Sequence, residues 1–199
     1  MLRSTKQKSR GVIEWLCLIS GLIVAVTSRL ELRQFSTADA LGFYCLNRDP
    51  QVLKYTGDSP FENVQDAADF IRQYDQYRLN GFGRWAVYIK DTQEYIGFCG
   101  LSRARGTSDV DLGFRISREY WRNGYATEAA NAAIVLASQV YGLKRLVGRV
   151  MAENLASIHT LQRVGFIPAP SQLDTEIWRH FYMELDQVAA SIGDGVRIV

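Results

Sequence analysis

The sequence is poor in the residues that usually build a metal or redox centre. Its 199 residues include three cysteines, Cys17, Cys45 and Cys99, and two histidines, His159 and His180. An odd number of widely spaced cysteines indicates neither a disulfide framework nor a zinc site, and fits a reducing compartment. Cys99 ends the apolar run Ile96-Gly97-Phe98-Cys99 and reads as a small buried hydrophobe. Neither histidine has a carboxylate or cysteine partner at metal-ligand spacing, so both read as structural or surface residues and no metal is expected. Excess charge is also missing. The net charge is +2, of which residues 1–27 carry +3 (Arg3, Lys6, Lys8 and Arg10 against Glu14), leaving the remainder at −1. A near-neutral body argues against a nucleic-acid binder, which usually carries a basic face. Nor is there a run long enough to span a bilayer. Trp15 to Val26 is almost wholly apolar, but a span needs about 20 residues and Glu14 blocks an upstream extension.

What is present suits one globular domain. A chain of 199 residues can bury roughly 70% of its unfolded surface. With 47% hydrophobic and 22% charged residues, the composition indicates neither disorder nor low complexity. Leu30 to Phe35 alternates apolar and polar residues, as a half-buried strand does. Ser36 can cap a helix over Thr37 to Leu46. Asn47 to Pro60 reads as loop, and Phe61 to Tyr77 as a helix broken by Asn80-Gly81-Phe82-Gly83. Arg84 to Lys90, Tyr95 to Ser102 and Ser108 to Ile116 read as an antiparallel meander. A helix over Gly124 to Tyr141, a strand over Leu143 to Val150, a short helix over Ala156 to Val164 and a closing strand over Thr175 to Leu185 follow. Strands first antiparallel, then joined through helices, give a mixed α+β sheet.

One stretch carries the chemistry. Val110 to Ile116 leads through Trp121-Arg122-Asn123-Gly124-Tyr125-Ala126-Thr127 into the alanine-rich helix. The first N–H groups of a helix lack internal partners, and its dipole adds about half a positive charge there. Gly124 and the small Ala126 let a ligand approach, so a phosphate or pyrophosphate is the natural guest. A P-loop would need Lys-Ser or Lys-Thr after its second glycine, and none is present. A dinucleotide fingerprint would need three spaced glycines, and Gly124 stands alone.

The segment Asp111 to Ala130 resembles the acyl-CoA motif of GNAT N-acetyltransferases, with its ending Gln/Arg-x-x-Gly-x-Gly/Ala. Gly124 and Ala126 fill the last two positions, while Trp121 replaces Gln or Arg. Tyr120-Trp121-Arg122-Asn123-Gly124-Tyr125-Ala126-Thr127-Glu128-Ala129 is similar to the wording of the ribosomal-protein-alanine N-acetyltransferase branch. Asn154-Leu155-Ala156-Ser157 followed by Gly165-Phe166 resembles the family's second motif, and Ser28 to Arg33 its first strand. The resemblance covers about residues 28 to 186. It implies a GNAT fold with a central sheet of about six or seven strands flanked by helices, and acetyl-CoA as co-substrate. It further implies transfer of an acetyl group to a primary amine, either a protein N-terminus or a small amine. A non-catalytic acyl-CoA-binding or sensing module is the alternative.

Carried over residue by residue, the resemblance implies a pyrophosphate cradle of Arg122, Asn123, Gly124, Tyr125, Ala126 and Thr127. Backbone N–H groups of Phe114, Arg115 and Ile116 would meet the oxyanion and the pantetheine arm. Asn154 would contact the pantetheine or cap its helix, and Ser157 would stand near the thioester sulfur. Asp111 is the candidate base. Period-2 counting places it on one face with Gly113 and Arg115. It could equally be a solvent-facing residue or a partner for Arg115. Asp109 is the lesser candidate. The family's usual acid, a tyrosine, falls on Leu161, so the thiolate would leave without one, or Tyr120 or Tyr125 would substitute. The acceptor is expected near Tyr55 to Phe61 and Asn80 to Trp85, with Asp58 or Glu62 facing a basic acceptor.

Residues 1–27 precede the region of resemblance and are expected to be an extension. The basic-then-apolar order resembles a signal peptide, but export is at odds with a need for cytoplasmic acetyl-CoA. An appendage helical over about residues 11–26 is expected, with membrane contact through that segment as the rival reading. Residues 28–186 would be the acetyltransferase domain, acting in the cytoplasm as a monomer or homodimer. Residues 187–199 would form a helical or frayed tail.

Overall fold

The computed structural model of the chain describes residues 21–103, 108–170, 172, 174–187 and 195–199. Its strands are β1 (Ile23–Val26), β2 (Leu30–Gln34), β3 (Arg84–Ile89), β4 (Tyr95–Arg103), β5 (Val110–Ile116), β6 (Arg145–Met151), β7 (Ile167–Pro168), β8 (Trp178–Glu184) and β9 (Arg197–Ile198). Its helices are α1 (Ala40–Leu46), α2 (Pro50–Leu53), α3 (Val64–Gln73), α4 (Gln76–Asn80), α5 (Tyr125–Val135) and α6 (Leu155–Arg163). One sheet runs in the order β7-β8-β6-β5-β4-β3-β2-β1-β9. From β1 to β5 each strand lies antiparallel to the next. The parallel step is β5 to β6, and α5 makes the crossover between them.

Alternation of side chains divides the sheet into two faces. On the first, Leu30, Leu32, Trp85, Val87, Leu101, Leu112 and Leu146 form the main core with α5. Ala129, Ala130, Ala132 and Ala133 of α5 are fully buried. Their short side chains bring the helix close to the strands, as the alanine-rich sequence predicts. On the second face α1 and α3 supply Ala40, Phe43, Ala67, Ala68 and Ile71, packed against Phe35, Tyr95 and Phe98. The second-face positions of β6 and β8, such as Val147, Arg149, Met151, Trp178 and Tyr182, are half-buried or exposed.

The meander, the long helix after Gly124, the strand after Gly142 and the short helix before Gly165 form as expected. Other expectations are corrected. Among the described residues the sheet has nine strands, two or three more than the six or seven expected. Within residues 11–26, where a helix is expected, Ile23–Val26 is a strand. Residues 1–20 lie outside the described residues. The β-branched residues of Ile23–Val26 suit a pleated surface. Val24 and Ala25 are buried in the protein core, so these residues are not a membrane-facing surface. Thr27 closes the turn to β2: its Oγ1 accepts from Leu30 N–H at 2.9 Å, and its own N–H donates to the Leu30 carbonyl at 2.8 Å. At the C-terminus, where a helical or frayed tail is expected, Arg197–Ile198 pairs with β1. In the expected loop, Asp49 caps the one-turn α2 by accepting from Gln51 N–H at 2.8 Å, with Pro50 in the first turn. The expected helix over Phe61 to Tyr77 breaks at Tyr74, which has an extended backbone. Among the described residues no helix is long and apolar enough to cross a membrane.

The β1–β2 turn is tied to the start of α5. Glu128 Oε1 accepts from Thr27 Oγ1 at 2.5 Å, Ser28 Oγ at 3.1 Å and Arg29 N–H at 2.9 Å. Its Oε2 accepts from Arg29 Nε at 2.7 Å and pairs with Nη2 at 2.6 Å. Partial burial alone would raise the Glu128 carboxyl. The hydrogen bonds from Thr27, Arg29 and Ser28 outweigh it and hold the group below the usual glutamate range. A depressed carboxyl stabilises the fold above its unfolded value, roughly 4.3, and loses that contribution as pH falls through the lower folded value. Glu128→Gln should therefore cost about 1–2 kcal/mol at neutral pH, a figure already reduced for the exposure of Arg29. The deficit relative to the parent should shrink as pH drops below about 4. Denaturant unfolding of both proteins from pH 7 to pH 3 measures it, and a pH-independent difference would reject the assignment.

Candidate active site

The turn between β5 and α5 is shaped to hold an anion. Arg122 (φ 63°) and Gly124 (φ 79°) both take left-handed backbone conformations. Such alternation makes a concave nest of N–H groups. A non-glycine residue takes this conformation only at a cost of order 1 kcal/mol, so the surroundings must impose it on Arg122. They do. The Trp121 indole N–H donates to the Ile116 carbonyl at 2.6 Å, Asn123 Nδ2 to the Trp121 carbonyl at 3.1 Å, and Arg29 Nη1 to the Asn123 carbonyl at 3.0 Å. Trp121, found where the motif usually has Gln or Arg, thus pins the turn to the strand. The first intrahelical bond of α5 joins Glu128 N–H to the Gly124 carbonyl at 3.0 Å. The N–H groups of Tyr125, Ala126 and Thr127 consequently have no carbonyl to reach within the helix. Arg29 also covers the Tyr125 ring at 4.5 Å.

A gap opens beside this nest. β5 and β6 pair in register at Asp111 with Val147, and among the described residues no further register pair joins them. Ser117 N–H donates to the Ile96 carbonyl at 2.8 Å, and the β4–β5 register is unbroken from Gly97–Ile116 to Arg103–Val110. Antiparallel bonding alternates along a strand, so the backbone groups of Phe114 and Ile116 point away from β4 into the gap. Arg115 N–H, the third expected donor, points toward β4 by the same alternation. An extended arm leaving the nest can therefore run along the open edge of β5 and end near Asp111.

The charged groups differ in partnership from the sequence expectation. Asp111, Gly113 and Arg115 do share the second face, but Asp111 does not pair with Arg115. Arg84 of β3 reaches over Gly113 to bond Asp111 Oδ2, the Asp111 carbonyl at 2.9 Å and the Gly100 carbonyl. A Cβ at position 113 would lie 2.5 Å from Arg84 Nη2, so the glycine leaves the guanidinium room to cross there. Arg84 is set by its backbone: its N–H donates to Tyr74 Oη at 2.6 Å, and Tyr77 Oη donates to its carbonyl. Burial pushes both phenols up, Tyr77 strongly, and keeps them neutral. Asp111 Oδ1 lies 3.9 Å from Arg149 Nε of β6. Arg115 pairs instead with Asp58 at 2.6 Å and with Asn47 Oδ1. Asp109 is exposed at the entry to β5.

Asn154 begins α6, and its Oδ1 accepts from Ser157 N–H at 3.1 Å, which makes it a helix cap. Its amide N–H groups take no part in that cap. Leu161 is buried in the main core, where a Cβ at Gly148 would lie 3.1 Å from its methyls. Tyr120 and Tyr125 meet edge to face at 6.2 Å beside the nest. A hydrogen bond to Glu94, with some burial, pushes the Tyr120 phenol up to about 12. Cys99 is buried as expected, and burial pushes its thiol up to about 12. His180, read from the sequence as lacking a carboxylate partner, has Asp174 Oδ1 at 3.5 Å from its Nδ1. Among the described residues no group of three or more His, Cys, Asp or Glu is placed to hold a metal.

Of the loops expected near the acceptor, Tyr55 to Phe61 overhangs β6 and β8. A Cβ at Gly57 would lie 3.8 Å from Met151 and 3.9 Å from Trp178. Glu62 is exposed. In Asn80 to Trp85, Phe82 and Trp85 are buried core residues, so packing accounts for their presence. Sequence reasoning missed Arg84, Arg149 and the Arg29–Glu128 lock. Period-2 counting on β3 and β6 assigns faces to the first two, but only the strand order brings them to Asp111.

Residues 29–167 match the family model described as an acetyltransferase (GNAT) domain. A protein of Bacillus licheniformis called "Uncharacterized N-acetyltransferase p20" is 32% identical over 142 residues, covering 70% of this chain and 80% of that protein. Among solved structures, spermidine N-acetyltransferase from Vibrio cholerae, in complex with CoA and spermine, superimposes with a TM-score of 0.67 at 18% identity, over 80% of this chain and 97% of that one. Ribosomal-protein-S5-alanine acetyltransferase from Vibrio fischeri does so with a TM-score of 0.66 at 17% identity, over 81% and 96%. The two structural likenesses carry the fold, and the family match takes in the nest, the gap and the capped helix beyond it. With that stretch matched, the chain belongs to the GNAT family and is an acetyl-CoA-dependent acyltransferase.

Proposed function

We propose that the chain transfers the acetyl group of acetyl-CoA to a primary amine by direct attack, the acceptor being a protein N-terminus or a small amine. The observation that supports this most is the continuity of nest, open strand edge and charged cluster along one gap. Arg122, Asn123, Gly124, Tyr125, Ala126 and Thr127 hold the pyrophosphate, mainly through backbone N–H groups. The pantetheine arm pairs with the free edge of β5 at Phe114 and Ile116. Asn154 offers its amide N–H groups from the far side, and Ser157 stands one turn further along α6. The cytoplasm, where acetyl-CoA is supplied, is the place of action in this reading.

In the reaction a C–N bond forms, the C–S bond breaks, and the attacking amine sheds a proton. Negative charge developing on the thioester oxygen is met by N–H groups on the β5 edge, which are already oriented and need no reorganisation. Asp111 takes the proton at Oδ1, directly or through a water, because Arg84 occupies Oδ2. The thiolate leaves without a dedicated acid at position 161, since Leu161 is in the core. A thiol is acidic enough for this, with a pKa of about 8.5.

Two substitutions test the parts separately. Gly124→Val combines left-handed strain with a Cβ 3.5 Å from Arg29 Nη2 at the mouth of the nest. CoA affinity should fall at least about tenfold; titration calorimetry giving an unchanged Kd would remove the nest from the cofactor site. Asp111→Asn should lower kcat/KM by about 10²–10⁴ with the Kd for CoA preserved. Cofactor binding without turnover on any amine, in the parent as in the variant, would favour a sensor over an enzyme.

A further inference from the structure

We propose that the acceptor carries a carboxylate close to its amino group and that Arg149 receives it, an inference that rests on the transferase reading above. On the second face the gap has Arg84, Asp111 and Arg115 on one side and Val147, Arg149 and Met151 on the other. The charges there do not balance. Asp111 is bound by Arg84, and Asp58 by Arg115 at 2.6 Å. Arg149 is a third guanidinium, 3.9 Å from Asp111 Oδ1, with its side chain 52% exposed. Asp174, the acid beside His180 on β8, is taken up by Arg179 at 3.8 Å and by His180 at 3.5 Å. Among the described residues Arg149 is therefore the surplus cation on this face, at the point where an arm along β5 would end.

This pattern discriminates among amines. A polyamine brings only positive charge to a face that already has a surplus of it, and like charges at close range repel. An amino carboxylate matches both groups: its ammonium meets Asp111 Oδ1, and its carboxylate meets the planar fork of Arg149. The amino group then stands on the proton acceptor assigned above. Beside Arg149 the half-buried Met151 and Trp178 lie opposite one another under Gly57 and form an apolar wall for a side chain. An α-amino acid with an apolar side chain satisfies all three surfaces.

The test uses the full chain, acetyl-CoA and matched pairs that differ by the carboxylate alone: phenylalanine with 2-phenylethylamine, leucine with isoamylamine, and methionine with 3-methylthiopropylamine. Spermidine and a short peptide with a free N-terminus complete the panel. Thiol release should give a kcat/KM at least about tenfold higher for the amino acid in the preferred pair. In Arg149→Gln the ratio within that pair should fall to near one, chiefly through the KM of the amino acid. A merely structural role for Arg149 would leave the ratio intact. Spermidine, the peptide or the amines acetylated as well as the amino acids would overturn the proposal, as would a ratio that survives Arg149→Gln. If no amine is turned over, the transferase reading fails. The carboxylate site is then judged by the melting temperature of the CoA complex. A rise with the amino acid alone, dependent on Arg149, supports it, and no such rise overturns it.

Discussion

The parallel pairing of β5 with β6, one register pair among the described residues, governs this molecule. Two parallel strands that kept pairing would bury every backbone group between them and leave no room for a ligand. Here the ladder holds at Asp111 and Val147 and then opens. The price is a set of strand-edge N–H and C=O groups without a neighbouring strand. Part of that edge is satisfied internally, since the Ile116 carbonyl accepts from the Trp121 indole at 2.6 Å. The rest is free to pair with an extended ligand, which is why a gap in a sheet can act as a binding site.

The site also needs its far end held in place. The nest at Arg122 and Gly124 is built from exposed residues, and two of them have left-handed backbones. Arg29 and Glu128 supply the rigidity. Arg29 bonds the Asn123 carbonyl, covers the Tyr125 ring and pairs with Glu128 one turn into the helix. The β1–β2 turn, some hundred residues away in sequence, thus fixes the anion cradle. This gives the residues just before the first family-like strand a structural role.

The two faces of the sheet divide the labour. The first is a dense aliphatic and alanine core that sets the distance between strand and helix. The second is covered by α1 and α3 over β4, while β6 and β8 are left half open toward the gap. The ionic groups gather on that half-open side. Asp111 is held by a guanidinium that two half-buried tyrosine hydroxyls position, so its orientation depends on the end of α3 and on α4 although it sits on β5.

The order of strands and helices, the nest at Gly124, the cap at Asn154 and the burial of Cys99 follow from local rules. Each depends on neighbours within a few residues: alternation for strands, unpaired N–H groups for a helix start, a glycine for a left-handed turn. The terminal strands were not legible in the same way. Ile23–Val26 is short, apolar and preceded by basic residues, and its conformation is decided by β2 and by β9, which arrives from the other end of the chain. The pairing of Asp111 with Arg84 instead of Arg115 is likewise a matter of strand order, since Arg84 reaches it across β4 over a glycine that leaves space. What the sequence by itself determined was the family, the central strands and helices, and the left-handed glycine turn that opens α5, because these rest on short-range patterns. Only the tertiary structure decided which charges meet across the gap, because residues far apart in the chain become neighbours only once the strands have taken their places in the sheet.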